Sequence, residues 1–248
     1  MLYIRVSMKF LKTAILIAVL FFNIKYSYAY EKLEFFDNFY IYTPYVYIMQ
    51  DEPVIEKIKI LVLFHDIDNT KKKKLEISGF VKEALRWEYK SEKEKLFIMG
   101  FDFGDYKNFL NKKENLDGVD DRILREISRL KRTCNPKEIK VYVAGTGFGA
   151  DLALLFNLMY DTYDGAFCMN MLKPVKDTEK YLDNCKDKKF YFYIPPKNKS
   201  MDIDKMILLR SRLTKGGAAA AEIKVYKKPK KVLHYKAYLD AIEKIGKQ

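Results

Sequence analysis

The amino-acid sequence predicts an α/β protein built on a mainly parallel sheet with helices on both faces. Two observations carry this. From about residue 57 to the end, short apolar runs alternate with segments of helical periodicity, the order that yields parallel strands joined by crossover helices. The apolar runs are also continuous, as in ILVLF (60–64) and VYVAG (141–145), and strands of that kind are buried on both faces.

Each element has its own signal. NFYIYTPYVYIM (Asn38 to Met49) is aromatic and β-branched but interrupted at Pro44, which reads as an edge strand or hairpin. KIKILVLFHDIDN (Lys57 to Asn69) contains a central strand over Ile60–Phe64 and then a polar loop with Lys71–Lys74. Phe80, Ala84, Leu85 and Trp87 mark a helix, and KLFIMGFDFG (Lys95 to Gly104) a second short buried strand with a glycine-containing loop. Val119, Ile123, Leu124, Ile127 and Leu130 recur at helical spacing, and Asn135-Pro136 stops that helix. IKVYVAG is a strand, and Asp151–Tyr160 a helix with Leu152, Leu155, Phe156 and Met159 on one face. GAFCMN (165–170) and KFYFYIP (189–195) are strands, Ile203–Lys215 is a helix closed by Gly216-Gly217, AEIKVYK is a strand, and His234–Ile245 a last helix.

The chain has 248 residues, 49% of them hydrophobic, enough for a packed core in one domain. Its net charge of +13 is spread along the sequence and interleaved with acids, which reads as a solvated surface. A basic surface for anionic partners is the second reading. No nucleic-acid-binding module accompanies the charge, so nucleic acid is not an expected partner.

At the N-terminus Arg5, Lys9 and Lys12 precede an apolar run from Ala14 to Phe22, followed by the small residues Ser27 and Ala29. That is the order of a secretory signal, and the run is short for a membrane span. The expected organisation is therefore a signal over 1–29 and a single domain over 30–248, exported to a periplasmic or extracellular space, with no membrane span once the signal is cleaved. An uncleaved anchor is the alternative. Cys134, Cys168 and Cys185 allow one internal disulfide or none. With two histidines and no Cys-x-x-Cys pair, neither a metal nor a cofactor is expected.

The chemistry turns on VYVAGTGFGA (Val141 to Ala150), an apolar strand running through alternate glycines into a helix. Gly145, Gly147 and Ala150 fit the dinucleotide spacing Gly-x-Gly-x-x-[Gly/Ala]. That motif needs an acid after the following strand, whereas Asp164 precedes it, and such a loop normally opens the first βαβ unit, but here several elements precede it. The same residues fit the nucleophile elbow Gly-x-Ser-x-Gly with glycine at its tip.

YIYTP, ILVLFHD, LDGVDDRILREISRL and NPKEIKVYVAGTGFGADLALLF, in that order, resemble the exported esterase group that contains polyhydroxybutyrate depolymerases and feruloyl esterases. The resemblance covers most of the chain after residue 30, and the Val119-Asp120-Asp121 helix is its most specific part. It implies an α/β-hydrolase fold. It also implies a nucleophile position at Gly147, a remnant base at His234, an acid position at Asn198, and an oxyanion loop formed by Phe148, His65 and Asp66. Three of these positions depart from the pattern, while His234 stands where the family keeps its histidine: glycine carries no nucleophile, asparagine cannot stabilise an imidazolium as a carboxylate does, and Asp66 stands where a glycine is usual. Thr146 and Ser128 are not substitutes for the serine. His65 and His234 also have bland readings, as a strand-end residue and a helix start. The Tyr and Phe residues, which could line a groove for sugars or aromatic esters, at strand spacing more often form core. The implied function is a non-catalytic pseudo-esterase that acts structurally or by binding a small ester, sugar or envelope component. The alternative is an atypical hydrolase in which His234 activates water on an ester or polysaccharide-linked substrate.

Overall fold

A computed structural model describes residues 30–35, 39–44, 55–64, 94–101, 113–171, 178–194, 203–226, 237, 240–245 and 247. The expected signal over 1–29, the lysine loop at 71–74, the helix around Phe80 to Trp87, and His65, Asp66, Asn198 and His234 lie outside the described residues.

The chain forms an eight-stranded sheet in the order β1-β2-β4-β3-β5-β6-β7-β8. The strands are β1 (Tyr30–Phe35), β2 (Phe39–Pro44), β3 (Lys57–Phe64), β4 (Glu94–Phe101), β5 (Glu138–Thr146), β6 (Gly165–Met169), β7 (Lys189–Ile194) and β8 (Ala220–Val225). From β4 to β8 every neighbour is parallel, and β1 and β2 extend the sheet as antiparallel strands at one edge. The helices are α1 (Lys113–Cys134), α2 (Phe148–Met159) and α3 (Ile203–Lys215), with a 3-10 segment over Thr178–Cys185 and a helical segment over 240–245.

The continuous apolar runs are explained by two cores, one on each face. Alternate side chains of the central strands divide between them. Ile60, Val62, Val143, Cys168, Phe190 and Phe192 enter the larger core beneath α1, α2 and α3. Leu61, Leu63, Tyr142, Ala144, Phe167, Met169, Tyr191 and Tyr193 enter the other, which Ala241, Ile242 and Ile245 help to cover. Each large apolar side chain so buried contributes about 1.5–3 kcal/mol. The aromatic residues of this second face are core: Phe167 stacks on Tyr191 at 4.9 Å, Tyr142 meets Phe167 edge-on, and Lys244 caps the row 4.3 Å above the Tyr191 ring.

The end of the sheet where the parallel strands begin is held by charge. Lys57 pairs with Glu138 at 2.9 Å, Lys140 with Asp164 at 3.1 Å, and the buried Lys59 with Glu94. The Lys57 hydrogen bond holds the Glu138 carboxyl below its ordinary range. Asp164 also accepts the Val141 N–H at 2.7 Å, while its own N–H reaches Val141 O. That leaves the opposite end, where the strands finish, for the turn after β5.

Candidate functional site

β5 ends at Thr146, Gly147 forms the turn, and α2 starts at Phe148. Two glycines make so sharp a reversal feasible. Gly147 has φ 56° and ψ −120°, a backbone that side-chain-bearing residues adopt only with strain. A Cβ at Gly145 would lie 2.1 Å from the Gly149 carbonyl oxygen, so the first turn of α2 packs directly on the strand that precedes it. The tip is tied to its neighbours by backbone bonds: Gly147 N–H donates to Met169 O at 3.0 Å, and Ala150 N–H donates back to Gly147 O at 3.2 Å.

The turn stands beside the ends of β6 and β7. Thr146 is in register with Met169, and Met169 with Tyr193. After β6 the chain turns at Asn170, whose φ is 51° and whose N–H donates to Tyr193 O at 2.8 Å. The sequence reading passed over Asn170 as a strand end. Its signal was a polar residue directly after GAFCM, level with the glycine turn. Asp151, read only as a helix start, is buried in the first turn of α2, where its carboxyl meets the positive end of the helix dipole from inside the fold.

Among the described residues nothing at the tip supplies a nucleophile. Gly147 has no side chain. Thr146 is buried, and its hydroxyl makes no hydrogen bond. Ser128 is exposed on α1. Cys168 pairs in register with Gly145, yet burial, reinforced by the charge of Asp151, pushes its thiol well above the usual cysteine range, so no thiolate forms there. The N-terminal peptide groups of α2, starting with the half-buried Phe148, remain a positively polarised helix end. Asp164 lies at the opposite end of the sheet from Gly147, and the residue that follows β6 on the Gly147 side is Asn170, an amide where a ribose-binding acid would be needed.

The Val119-Asp120-Asp121 segment lies on α1. Asp120 accepts the Tyr163 hydroxyl at 2.8 Å, and Asp117 the Tyr160 hydroxyl at 2.8 Å. At the end of α2, Lys188 donates to the carbonyls of Asn157 at 2.6 Å and Tyr160 at 2.7 Å. These bonds tie the closing end of α2 to α1 and to the residue before β7. Among the described residues no group of His, Cys, Asp and Glu is placed to hold a metal ion, and no helix is long and apolar enough to cross a membrane.

No family model matches the chain, and no curated protein matches it. Solved structures do. The chain is similar to S-formylglutathione hydrolase from Staphylococcus aureus, with a TM-score of 0.61 at 14% identity, over 88% of this chain and 96% of that one. It is similar to a siderophore hydrolase from Aspergillus nidulans, with a TM-score of 0.59 at 10% identity, over 88% and 94%. A ferulic acid esterase matches with a TM-score of 0.54 at 12% identity, over 84% and 91%. At such identities the likeness speaks for architecture, and together with the strand order and the turn after β5 it means that this protein has the α/β-hydrolase fold.

Proposed function

We propose that this chain is an exported, non-catalytic relative of ester hydrolases that uses the inherited site to bind a small ester, sugar or envelope component. The observation that carries the reading is the glycine at the tip of the turn after β5. In the ester hydrolases of this fold a serine accepts the strained backbone of that turn because the strain exposes its hydroxyl. At Gly147 the backbone keeps φ 56° and ψ −120° with no hydroxyl to expose. The loss of a triad serine costs on the order of 10⁶-fold in turnover in a well-studied protease. The solved structures named above are an S-formylglutathione hydrolase, a siderophore hydrolase and a ferulic acid esterase, which favours an acyl-bearing ligand. Export is supported by the charged-apolar-small order of residues 1–29.

A fluorophosphonate probe and a short-chain aryl-ester assay test the catalytic half of this reading. The purified chain is expected to show neither labelling nor turnover above buffer. Turnover that disappears in His234→Ala would replace it with a hydrolase in which that histidine activates water. Gain of labelling in a Gly147→Ser, Asn198→Asp double variant would support the assigned register. Export is tested by mass spectrometry of the native protein, which is expected to start at Tyr30; a retained residue 1–29 segment would count against it.

A further inference from the structure

β8 ends the sheet, pairing with β7 on one side and, among the described residues, with no strand on the other. Ala220 and Tyr226 direct their N–H groups inward, to Lys188 O at 3.5 Å and Ile194 O at 2.9 Å. Peptide groups alternate between the two edges of a strand, so Ala221, Ile223 and Val225 present theirs outward. Their side chains share a face with α3. Ala221 and Ile223 pack on the larger core, while Val225 is 48% exposed. α3 itself leaves Ile203, Ile207 and Leu208 exposed. On the other face Glu222 accepts from Lys244 at 2.6 Å, and Lys224 pairs with Asp240.

Edge strands are ordinarily protected by proline, bulges, charged side chains or a covering helix or loop, because an open edge invites pairing. β8 has no proline, its charges alternate in sign, and an exposed apolar helix flanks it. We propose that β8 pairs with β8 of a second copy of this chain, antiparallel about a two-fold axis at Ile223, so that one sheet runs through the dimer.

Two independent features select that axis. The first is hydrogen-bond phase. A two-fold at Ile223 places Ile223 opposite itself and Ala221 opposite the partner's Val225. All of these face outward, so each pair exchanges both of its backbone bonds. The second is charge. The same axis sets Glu222 opposite the partner's Lys224 and Lys224 opposite the partner's Glu222. These fall at the non-hydrogen-bonded positions, where side chains approach most closely. Of the axes through an outward-facing residue of β8, the one at Ile223 alone opposes unlike charges within residues 220–225. The contact is self-complementary, as a two-fold interface must be, and it brings the exposed Val225, on the α3 face, into the seam opposite the partner's Ala221.

Sedimentation analysis of the full chain over a range of concentrations tests this. The wild type is expected to dimerise. Lys224→Glu and Glu222→Lys, each of which opposes like charges twice, are expected to weaken the dimer about tenfold or more. The Glu222→Lys, Lys224→Glu double variant opposes unlike charges again and is expected to recover most of that loss. Ile223→Pro removes an outward N–H while sparing the bonds to β7, and is expected to give a monomer with unchanged far-ultraviolet circular dichroism. A wild type monomeric at every concentration would overturn the proposal and leave the edge to another occupant. So would a dimer indifferent to these changes, or a double variant no tighter than either single one.

Discussion

The Tyr163 hydroxyl donates to Asp120 Oδ1 at 2.8 Å, and this buried bond joins the long helix α1 to the loop that follows α2. Asp120 belongs to the most specific part of the sequence resemblance, and its visible work is structural. The helix that precedes β5 and the helix that leaves the turn are fastened to each other at the far end of the unit, away from Gly147.

Removing one partner of that bond is expected to cost more than neutralising the other. Tyr163→Phe leaves a buried carboxyl short of a donor, and urea unfolding should show a loss of about 1–3 kcal/mol. Asp120→Asn keeps an acceptor for Tyr163 without a buried charge, so its loss should be smaller. The pH dependence separates the two further. Burial raises the Asp120 carboxyl above its ordinary 3.8, outweighing the hydrogen bonds from Tyr163 and Thr162 that favour the carboxylate. The folded state therefore holds this proton more tightly than the unfolded chain does. Its contribution to stability is greatest in acid and is lost as pH rises through the folded value. Relative to Asp120→Asn, the wild type should gain stability on acidification and lose it toward neutrality. The opposite slope would contradict the burial argument.

The two glycines of the turn are expected to respond differently to alanine. Gly145→Ala drives a Cβ into the Gly149 carbonyl at 2.1 Å, and backbone against backbone cannot yield by a rotamer change. α2 must move off β5, and the variant should unfold well below the wild type or fail to accumulate. Gly147→Ala forces a side chain into the positive φ, at a cost of about 1–3 kcal/mol. Thermal melting that ranks the two in the reverse order would show that α2 does not pack on β5 through Gly145.

Most of the sheet was legible because doubly buried strands leave a signal that helices of similar length do not: short, β-branched or aromatic, and bounded by turn residues. β3 to β7 carried it, with β5, β6 and β7 within a residue at their ends; β3 begins at Lys57, three residues before the expected Ile60, and β8, also expected as a strand, is a partly exposed edge. β1 did not, since YEKLEF reads as polar without its antiparallel partner β2. α1 begins at Lys113, six positions before the expected start, because Leu116 reaches the core and overrides the helix-weakening Gly118. Leu124 fits the helical period but lies beside the stripe defined by Leu116, Val119, Ile123 and Leu130, and is 41% exposed. α2 was read as one-sided, yet Gly149 through Leu158 are all buried, because the helix lies between the sheet and the 3-10 segment. At the turn itself, glycine spacing revealed the sharp reversal. It could not reveal Asn170, which arrives beside Gly147 only through strand pairing.

Lys188 is expected to matter for the closing end of α2. It spends its ammonium on the carbonyls of Asn157 and Tyr160, groups that the end of a helix leaves without intrahelical donors. Lys188→Met preserves the apolar stem and removes the donors, and should cost about 1–3 kcal/mol by urea unfolding. Hydrogen exchange should quicken at Tyr160 and the last turn of α2 before it does in β5. Uniform quickening would mean that Lys188 supports the whole sheet instead of this cap.

The sequence left open one disulfide or none, and none of Cys134, Cys168 and Cys185 is joined in a disulfide in the fold. Their environments differ enough to be read by reaction with Ellman's reagent in the absence of reductant. Cys168 and Cys185 are buried, and burial pushes both thiols above the usual cysteine range. The Cys185 thiol also donates to Leu213 O at 3.4 Å. Both should react only as fast as the protein opens. Cys134, partly exposed at the end of α1, should react at once. The native protein is then expected to give one fast thiol, the unfolded chain three, and Cys134→Ser should abolish the fast phase without shifting the melting temperature. A single thiol in the unfolded chain would reveal a bridge that this packing does not contain. It would also require β6 or the 3-10 segment to be rebuilt, since each holds one of the two buried cysteines.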